Sequence, residues 1–354
     1  MDAAKDAAGL AMVSVAIVGA GGVGRIRAKS ILDSKQGRVS WVADVNAERA
    51  KELAVLCSAA ATTEWREAVS RPEVDVVVVS TPTKFHAEIA IQALQAGKHV
   101  LCEKPLARTV DEACRIVEAA RRAGRVLKTG FNYRQMGHVR KTKELLGSGA
   151  IGPAYFLRCR YGHGGRPRYE EHWCTDADLS GGGVLQEQGI HMVDLVRVFL
   201  DEPVRVMAET RRYFWGFPEV EDNCFCLFET AAGQLAQLHV SWTQWKNILE
   251  IEIFGRDGYL RLEGRDGHYG PQRLTWGKRQ PGHGRPVEEV FTFDEADISW
   301  DREWREFLER IEDGVYSSDA AQQGLRTQQL VEAAYRSAGE RAWIEIPSCD
   351  AERS

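Results

Sequence analysis

The sequence has few of the features that suit a membrane or a nucleic acid. Its 354 residues carry a formal net charge of −5 and contain no block of basic residues, so no electrostatic footprint for a polyanion is present. The N-terminal segment MDAAKDAAGLAM has acidic residues and no long apolar run, and we expect neither a signal peptide nor a membrane span. These absences predict a cytoplasmic protein that binds neither nucleic acid nor a membrane.

The eight cysteines are equally uninformative about a metal or a disulfide framework. They form no CxxC pair and no Cys/His pattern with metal-ligand spacing, so we expect reduced thiols and no metal site. Cys224 and Cys226 are two residues apart in an alternating run, which places both on one face of a strand. Packing in the core explains this pair better than a metal does.

The most informative feature present is a glycine-rich turn. GAGGVG, residues 19–24, follows the apolar run VSVAIV, and Asp44 closes a second β-like run, RVSWVAD, twenty residues further on. Gly19 permits a tight turn, Gly21 lets the backbone approach a pyrophosphate, and Gly24 lets the helix pack against the sheet. The four pieces together predict a dinucleotide-binding βαβ unit.

The same unit indicates which dinucleotide is bound. Gly22 and Val23 would begin a helix whose free N–H groups and partial positive charge favour phosphate. Asp44 would accept hydrogen bonds from the adenosine ribose and repel a 2′-phosphate, which favours NAD over NADP. NADP stays possible because four cations lie nearby in the sequence, either facing a 2′-phosphate or solvated: Arg25, Arg27, Arg49 and Lys51.

The length and the hydrophobic pattern predict two domains, residues 1–131 and 132–354. From Val13 to Thr129, short β-branched runs alternate with helical runs, of which two end at Gly97 and Gly124. This pattern is typical of a doubly wound parallel sheet. Longer alternating runs joined by short turns then predict an α/β domain with antiparallel strands, a helix over about 183–200, a loop over 277–286 and two closing helices.

A lysine stands at the end of one predicted parallel strand. AGKHVLCEKPLA, residues 96–107, ends its apolar run with Glu103, Lys104 and Pro105. Ligands collect at the carboxyl ends of strands in a doubly wound sheet, so Lys104 is expected to point into the cofactor crevice. Pro105 would push Lys104 toward extended geometry. Taken alone, the alternative of a surface lysine paired with Glu103 would be favoured.

Three polar residues lie on the predicted helix over 183–200. Glu187, His191 and Asp194 are separated by four and three residues, which places them along one helix face among apolar neighbours. A buried polar stripe needs partners or a function. A single histidine would favour a satisfied core residue, but the flanking carboxylates favour a functional site.

Five segments together resemble the glucose-fructose oxidoreductase, inositol dehydrogenase and rhizopine catabolism family. They are GAGGVG, STPTKFH at 80–86, AGKHVLCEKPLA, GFNYR at 130–134 and GGGVLQEQGIHMVDL at 181–195. The likeness runs from about Val13 to Gly255 in order and spacing. It implies an N-terminal Rossmann domain, followed by an α/β domain with an open, mainly antiparallel sheet. One face of that sheet would cover nicotinamide and substrate, and the other commonly makes oligomer contacts.

The resemblance also implies roles for individual residues. The lysine of EKP and the histidine of the helix form the catalytic pair in similar enzymes, which carries over to Lys104 and His191. Similar chains usually have Asp four residues before that histidine. Glu187 stands here, and its extra methylene leaves open whether it contacts substrate or orients His191. The residues expected to line the cofactor, besides the glycine-rich turn, are Asp44, Ser80, Thr81, Pro82, His86, Glu103, Lys104 and Asn132.

For Ser80 to His86, a second reading is open: Thr81 or Thr83 would cap a helix, and this role is compatible with lining the cofactor. Substrate contacts are expected where similar enzymes meet their sugars. Besides Lys104, Glu187 and His191, the candidates are Arg160, His163, Arg166, Arg168, Trp242 and Trp245. Arginine can bind a carboxylate or a phosphate, and an aromatic ring can stack on a sugar. The alternative for each is a sheet surface or an oligomer contact.

These residues suggest a mechanism. A secondary alcohol of a sugar, nucleotide sugar or cyclitol would give a hydride to nicotinamide. His191 would accept the hydroxyl proton, and Lys104 would stabilise the developing charge on oxygen. Glu187 or Asp194 would orient the imidazole. A lysine with a depressed pKa could exchange roles with the histidine.

Two other functions stay open. One is an oxidoreductase that shuttles hydride between two sugars on a tightly bound cofactor, and the other is a sensor that binds dinucleotide without catalysis. A sensor need keep neither Lys104 nor His191, and both are present. We expect a homodimer or homotetramer, because an outer sheet face rich in Phe and Trp should be covered.

Overall fold

A computed structural model describes residues 12–293, 297–314 and 318–347. The first part of the chain forms a six-stranded parallel sheet in the order β3-β2-β1-β4-β5-β6. The strands are β1 Val13–Val18, β2 Gly37–Ala43, β3 Ala60–Thr62, β4 Val76–Val79, β5 His99–Glu103 and β6 Leu127–Gly130. The helices between them are α1 Gly22–Ser34, α2 Ala47–Cys57, α3 Trp65–Ser70, α4 His86–Gln95 and α5 Val110–Ala123.

The sequence explains why these elements begin and end where they do. β4 is the run VVVV, fully buried, as β-branched side chains covered on both sheet faces should be. Thr109 caps α5 through its hydroxyl, and the helix ends at Gly124, which adopts a left-handed conformation with φ of 60°. Gly97, with φ of 76°, follows α4 in the same way. The predicted glycine stops are therefore confirmed.

The second sheet has nine strands in the order β14-β13-β12-β11-β7-β10-β9-β8-β15. Adjacent strands are antiparallel except for β7 and β10, which pair in parallel. The strands are β7 Ala154–Gly162, β8 Pro203–Arg211, β9 Asn223–Thr230, β10 Leu235–Ser241, β11 Ile248–Gly255, β12 Gly258–Glu263, β13 Gln272–Lys278, β14 Val287–Phe293 and β15 Ile344–Glu345. The predicted α/β class, with an open and mainly antiparallel second sheet, is confirmed.

Of the remaining helices, some cover one face of the second sheet and others pack against the first. They are α6 Gly137–Gly147, α7 Ala177–Ser180, α8 Ile190–Phe199, α9 Ser299–Glu312 and α10 Ser318–Glu340, and a π-helical turn over Leu185–Gly189 leads directly into α8. On the inner face of β9, Cys224 and Cys226 are buried with sulfurs 3.4 Å apart, so their predicted placement on one face is confirmed.

The last two helices pack against the first sheet. Trp304 and Phe307 of α9 join the hydrophobic core formed by α1 and one sheet face, while Leu325 of α10 joins the core on the other face. The first domain is therefore completed by the end of the chain. The division at residues 131 and 132 stays a prediction. Within the described ranges, no helix is long and apolar enough to cross a membrane.

Candidate active site

The glycine-rich turn follows β1 at the carboxyl edge of the first sheet. Gly19 has φ of 102°, and a β-carbon there would lie 2.5 Å from the backbone oxygen of Ser80. A β-carbon on Gly24 would lie 2.0 Å from the backbone oxygen of Gly19. Both positions therefore exclude a side chain. Gly19 is required by the turn, and Gly24 by the close approach of α1 to that turn.

The space in front of this turn is open. A β-carbon on Gly21 or Gly22 would meet nothing within 4 Å. α1 begins at Gly22 with no side-chain cap and no acid in its first turn, and Val23 is partly exposed there. Its first N–H groups are therefore available to an anion. These residues fit the pyrophosphate of a dinucleotide.

Asp44 borders the same space. One carboxylate oxygen accepts the N–H of Ala20 and the other accepts the N–H of Asn46, each at 2.8 Å. Each oxygen keeps a further lone pair, so the carboxylate can still accept ribose hydroxyls. Of the four nearby cations, Arg27 is fully buried, and Arg25 pairs with Glu52. Arg27 is therefore not available to a 2′-phosphate.

The segment after β4 packs against the glycine-rich turn. The Ser80 hydroxyl donates to the Gly19 carbonyl at 2.8 Å, so it braces the turn. The Thr81 hydroxyl is buried and has no partner among the described residues, as expected if a ligand supplies one. Pro82 precedes a 3-10 turn over Thr83–Phe85. No threonine caps this turn or α4, so the predicted helix cap is wrong.

His86 holds two strand ends together. Its Nδ1 lies 2.8 Å from the carbonyl of Pro105, and its Nε2 lies 2.9 Å from the carbonyl of Thr81. The ring is buried, and burial lowers its pKa. His86 therefore positions the loops after β4 and β5, and its neutral ring can donate to one of these two carbonyls at a time.

Lys104 follows β5, with a cis bond to Pro105. Its ammonium donates to the backbone carbonyl of Glu187 at 2.5 Å and to the Glu187 carboxylate at 3.1 Å. The predicted alternative, a surface lysine paired with Glu103, is wrong. Glu103 is buried and pairs instead with Arg27 at 2.5 Å. Its carboxylate is thus held toward α1, and the expected contact with a cofactor stays a prediction.

Glu187 lies in the π-helical turn before α8. Burial would raise the pKa of its carboxyl, but the Lys104 ammonium outweighs burial and holds the pKa below its ordinary value of 4.5. The Glu187 carboxyl is therefore charged at neutral pH. Three glycines precede the turn, and a β-carbon on Gly183 would lie 2.1 Å from the backbone oxygen of Glu221.

His191 is buried near the start of α8. Its ring stacks face to face on Tyr133, with centroids 3.9 Å apart, and meets the edge of Phe131. Burial and then the cations of Lys104 and Arg265 hold the pKa of His191 well below its ordinary value of 6.5. The imidazole is therefore neutral at physiological pH, and the structure brings it near the Lys104 ammonium.

Neither carboxylate that was expected to orient His191 does so. Its Nδ1 has no hydrogen-bond partner in the described part of the chain. Asp194 is buried and accepts two hydrogen bonds from Arg134, at 2.5 and 2.6 Å, and one from Thr327. The predicted single polar face is wrong, because Asp194 contacts Arg134 and Thr327 whereas Glu187 contacts Lys104 from the π-helical turn before α8. Stacking on Tyr133 orients the ring instead.

Other polar groups surround His191 that the sequence motifs did not single out. The Tyr133 hydroxyl lies 2.6 Å from that of Tyr161 and accepts a hydrogen bond from Arg265 at 2.5 Å. Gln188 donates to Tyr161 and accepts from the indole of Trp242. GFNYR contains Tyr133, so the resemblance could have indicated it, but no sequence signal marks Arg265.

His163 is the one predicted substrate residue on β7 and its loop that faces this group. Burial lowers the pKa of His163 to about 4, and the negative charge of Glu187 opposes this shift in part. Its Nδ1 accepts the N–H of Gly165 at 2.8 Å, which fixes the ring. Arg166 is exposed, donates to His172 at 2.9 Å and lies over the Tyr169 ring. His163 therefore lies close enough to Glu187 for its charge to act, while Arg166 is held by the loop that follows β7.

Several predicted contacts lie elsewhere. Arg160 is 62% exposed and pairs with Glu250 on the outer face of the second sheet, because side chains alternate along β7 and Tyr161 points inward. Arg168 is 79% exposed and pairs with Glu171. Trp242 is fully buried, and Trp245 is largely exposed. None of the described contacts of Arg160, Arg168 or Trp242 supports the expected substrate role, which stays a prediction.

Asn132 contacts the start of α9 rather than the residues around His191. It is buried, and its amide donates to the hydroxyl of Ser299 at 3.0 Å. This bond ties the segment after β6 to the start of α9. The expectation that Asn132 seats nicotinamide or substrate is not supported by this contact.

Comparison with known proteins agrees with this arrangement. Residues 13–131 match an oxidoreductase family with an NAD-binding Rossmann fold, and residues 139–261 match the GFO/IDH/MocA C-terminal domain. The 1,5-anhydro-D-fructose reductase of Ensifer adhaerens is 32% identical over 69% of this chain and 74% of its own length. The chain belongs to this family. It is thus an oxidoreductase with a dinucleotide-binding Rossmann domain, and the predicted resemblance is confirmed.

Other members act on related compounds. Inositol 2-dehydrogenase 3 of Saccharopolyspora erythraea is 30% identical over 71% of this chain and 73% of its own length. Levoglucosan dehydrogenase of Pseudarthrobacter phenanthrenivorans is 26% identical over 88% of this chain and 90% of its own length. A solved levoglucosan dehydrogenase in complex with NADH has a TM-score of 0.86 at 23% identity, covering 95% of this chain and 99% of the other. That likeness concerns the fold.

Proposed function

We propose that this protein oxidises a secondary alcohol of a sugar or cyclitol with NAD. The observation that carries the proposal is the grouping of Lys104, Glu187 and His191 at the carboxyl edge of the Rossmann sheet, beside an open glycine-rich turn. The substrates of related proteins, inositol and levoglucosan by their names, support the choice of substrate class.

Each of the three residues would have a distinct task. When bound, the nicotinamide of NAD supplies the hydride acceptor. The neutral imidazole of His191 would accept the proton of the alcohol, and the Lys104 ammonium would donate a hydrogen bond to the same oxygen as negative charge develops on it. Glu187 would hold the ammonium in position through two hydrogen bonds.

The proposal is tested by a panel of polyols and sugars offered with NAD and NADP separately, while the absorbance of the reduced nicotinamide is followed. We expect turnover of at least one compound with NAD. Tight binding of a dinucleotide without turnover of any compound would favour the sensor. A reaction that needs a second sugar and no free NAD would favour the oxidoreductase that shuttles hydride between sugars.

The low pKa of His191 predicts the pH dependence of alcohol oxidation. A base must be neutral, so the rate should fall only as the pH drops through that pKa, below 6.5. Rates of wild-type protein and of His191→Gln would be measured upward from the lowest pH at which the protein stays folded. We expect the variant to lose both rate and the acid limb, while His163→Gln keeps the limb. An acid limb with its midpoint above 6.5 would contradict this role.

We further propose that NAD is preferred because Asp44 occupies the ribose position. Replacing Asp44 with Ala should weaken NAD binding by about tenfold or more, since hydrogen bonds to a charged group are worth about 1.5–3 kcal/mol. Binding of NADP should weaken less or improve. Dissociation constants for both dinucleotides would be measured, with Asp33→Asn, which lies on the exposed side of α1, as the matched control. Equal losses for NAD and NADP would refute the proposal.

A homodimer or homotetramer is also proposed. The outer face of the second sheet exposes stacked rings, Phe156 on Phe254 and Phe254 on Tyr259, framed by Arg–Glu pairs. A two-fold partner could cover such a face with matching rings and charges. Light scattering would give the mass in solution.

A cytoplasmic location also stays a prediction, supported by the free thiols of the cysteines in the described ranges.

A further inference from the structure

One arginine in the cleft differs from the other buried arginines. Arg27 pairs with Glu103 and Glu303, Arg134 with Asp194, and Arg326 with Glu202. Arg265 is mostly buried and forms no ion pair with any acid in the described residues. A buried charge without a counter-ion is costly, so an unpaired guanidinium in a cleft needs an explanation.

The contacts of Arg265 are aromatic and leave part of its hydrogen-bonding capacity unused. One terminal nitrogen donates to the Tyr133 hydroxyl at 2.5 Å, and the guanidinium carbon lies 5.4 Å from the Tyr133 ring and 4.6 Å from that of Tyr269. Its Nε is buried and has no partner within the described ranges. The side chain is thus fixed by rings while one side of its planar fork stays free.

The backbone around Arg265 is fixed as well. The N–H of Arg265 donates to the Gly270 carbonyl at 3.2 Å, and that of Gly264 donates to the Leu249 carbonyl at 3.0 Å. Gly264 has φ of 76°, and a β-carbon there would lie 2.1 Å from the backbone oxygen of Pro271. This tight turn carries Arg265 to one position beside Tyr133.

The charge of Arg265 acts on the residues of the proposed active site. It lowers the pKa of His191 together with Lys104, and it also lowers the pKa of His163, in each case after burial as the main cause. Two cations thus act on His191, Lys104 and Arg265, and Lys104 is paired with the Glu187 carboxylate. An excess positive charge remains on the Arg265 side.

We propose that the substrate carries an anionic group, a carboxylate or a phosphate, which binds to Arg265 while the reacting alcohol lies between Lys104 and His191. A planar guanidinium with a free side suits either group. This inference rests on the proposed oxidation of a sugar or cyclitol and specifies its substrate as an acid or phosphate ester of that class.

The test compares acidic and neutral compounds on the NAD-loaded protein. The set is D-glucuronate and D-gluconate as carboxylates, D-glucose 6-phosphate as phosphate, and D-glucose and myo-inositol as neutral compounds. We expect a higher kcat/KM for a carboxylate or for the phosphate than for the neutral compounds. Whichever anion is preferred identifies the group. Equal or higher kcat/KM for the neutral compounds overturns the inference and leaves the proposed oxidation standing.

Variants of Arg265 separate its role from the general charge of the cleft. In Arg265→Gln, KM for the preferred anion should rise at least tenfold more than KM for a neutral compound does. Arg265→Lys keeps the charge and loses the fork, and it should recover part of the affinity. Arg261→Gln, on the outer sheet face, is the matched control. An unchanged KM for the anion in Arg265→Gln overturns the inference.

Calorimetry makes the result independent of catalysis. NADH-loaded protein would be titrated with the same compounds. If no compound is oxidised, the proposed function fails, but binding of an anion that is lost in Arg265→Gln still supports the anion site. If no anion binds, or if it binds equally to Arg265→Gln, the inference is overturned.

Discussion

Replacing Lys104 with Met lowers kcat for alcohol oxidation by about 10²- to 10³-fold, which is the usual loss when one hydrogen-bond donor to a developing oxyanion is removed. Methionine keeps most of the length and the apolar stem but has no N–H to donate. The Kd for NAD should change by less than about threefold, because the glycine-rich turn and Asp44 are untouched. Steady-state kinetics and a titration with NAD would check both parts.

Two further variants isolate the role of the ammonium. Lys104→Met leaves the Glu187 carboxylate without its partner, so the double variant Lys104→Met/Glu187→Gln tests whether the stranded carboxylate causes the loss. We expect the double variant to stay as slow as the single one. Lys143→Met, on an exposed part of α6, is the matched control and should keep its kcat. A single variant with more than a tenth of the original kcat would remove Lys104 from the mechanism.

Replacing Arg27 with Met lowers the free energy of unfolding by about 3–5 kcal/mol, the range found when one partner of a buried ion pair is removed. Arg27 lies between Glu103 and Glu303 at 2.5 and 2.7 Å, and all three side chains are buried. Without the guanidinium, two carboxylates face each other away from water. Urea unfolding of both proteins would measure the difference.

The loss should depend on pH. Burial already raises the pKa of Glu303 above its unfolded value of 4.5, and removing Arg27 takes away a charge that opposes this rise. A carboxyl with a raised pKa contributes stability at low pH that is lost as the pH rises through that pKa. The loss of unfolding free energy in Arg27→Met should therefore become smaller near pH 4.5. At neutral pH, Arg27→Met/Glu303→Gln should be more stable than Arg27→Met.

An exposed pair gives the control. Arg25 pairs with Glu52 at the surface, and Arg25→Met should cost less than about 1 kcal/mol, because exposed ion pairs contribute little. If Arg27→Met costs no more than Arg25→Met, the buried network does not stabilise the fold.

The parts of the site that follow from local rules were predictable from the sequence. Gly19 and Gly24 are required by a turn and by a close helix, and these needs act within a few residues. Lys104 was placed correctly at a strand end because parallel strands direct their carboxyl ends to one edge. Each case depends on backbone geometry that one βαβ unit already determines.

The parts that depend on contacts between distant segments were not predictable. Asp194 has the spacing of a histidine partner, but Arg134 competes for its carboxylate from another element. Arg160 alternates to the outer face of β7, and only the register with β11 shows which face is outer. Arg265 lies in a turn that no motif marks. Short β3, with the residues Ala60 to Thr62, lacks the β-branched run that indicates a strand.

The π-helical turn shows a third reason. Helical spacing predicted one face for Glu187, His191 and Asp194, but Glu187 lies in a π-helical turn and the other two lie in α8, so one spacing does not apply to all three. Three glycines precede this turn. The Glu221 carboxylate accepts hydrogen bonds from the N–H groups of Gly183 and Leu185 at its start. Periodicity assumes a constant number of residues per turn, so it fails at such a site.

The network around Arg27 has a consequence for how the protein is assembled. Glu103 directly precedes Lys104, and Glu303 comes from α9, so a segment made late in synthesis supplies the second counter-ion beneath the strand end that carries the lysine. Ser299, also in α9, likewise accepts a hydrogen bond from Asn132, which follows β6. A nascent chain that ends before residue 303 would hold its Rossmann sheet with Arg27 half neutralised. The ion network beneath the proposed catalytic edge can therefore close only after α9 has been synthesised.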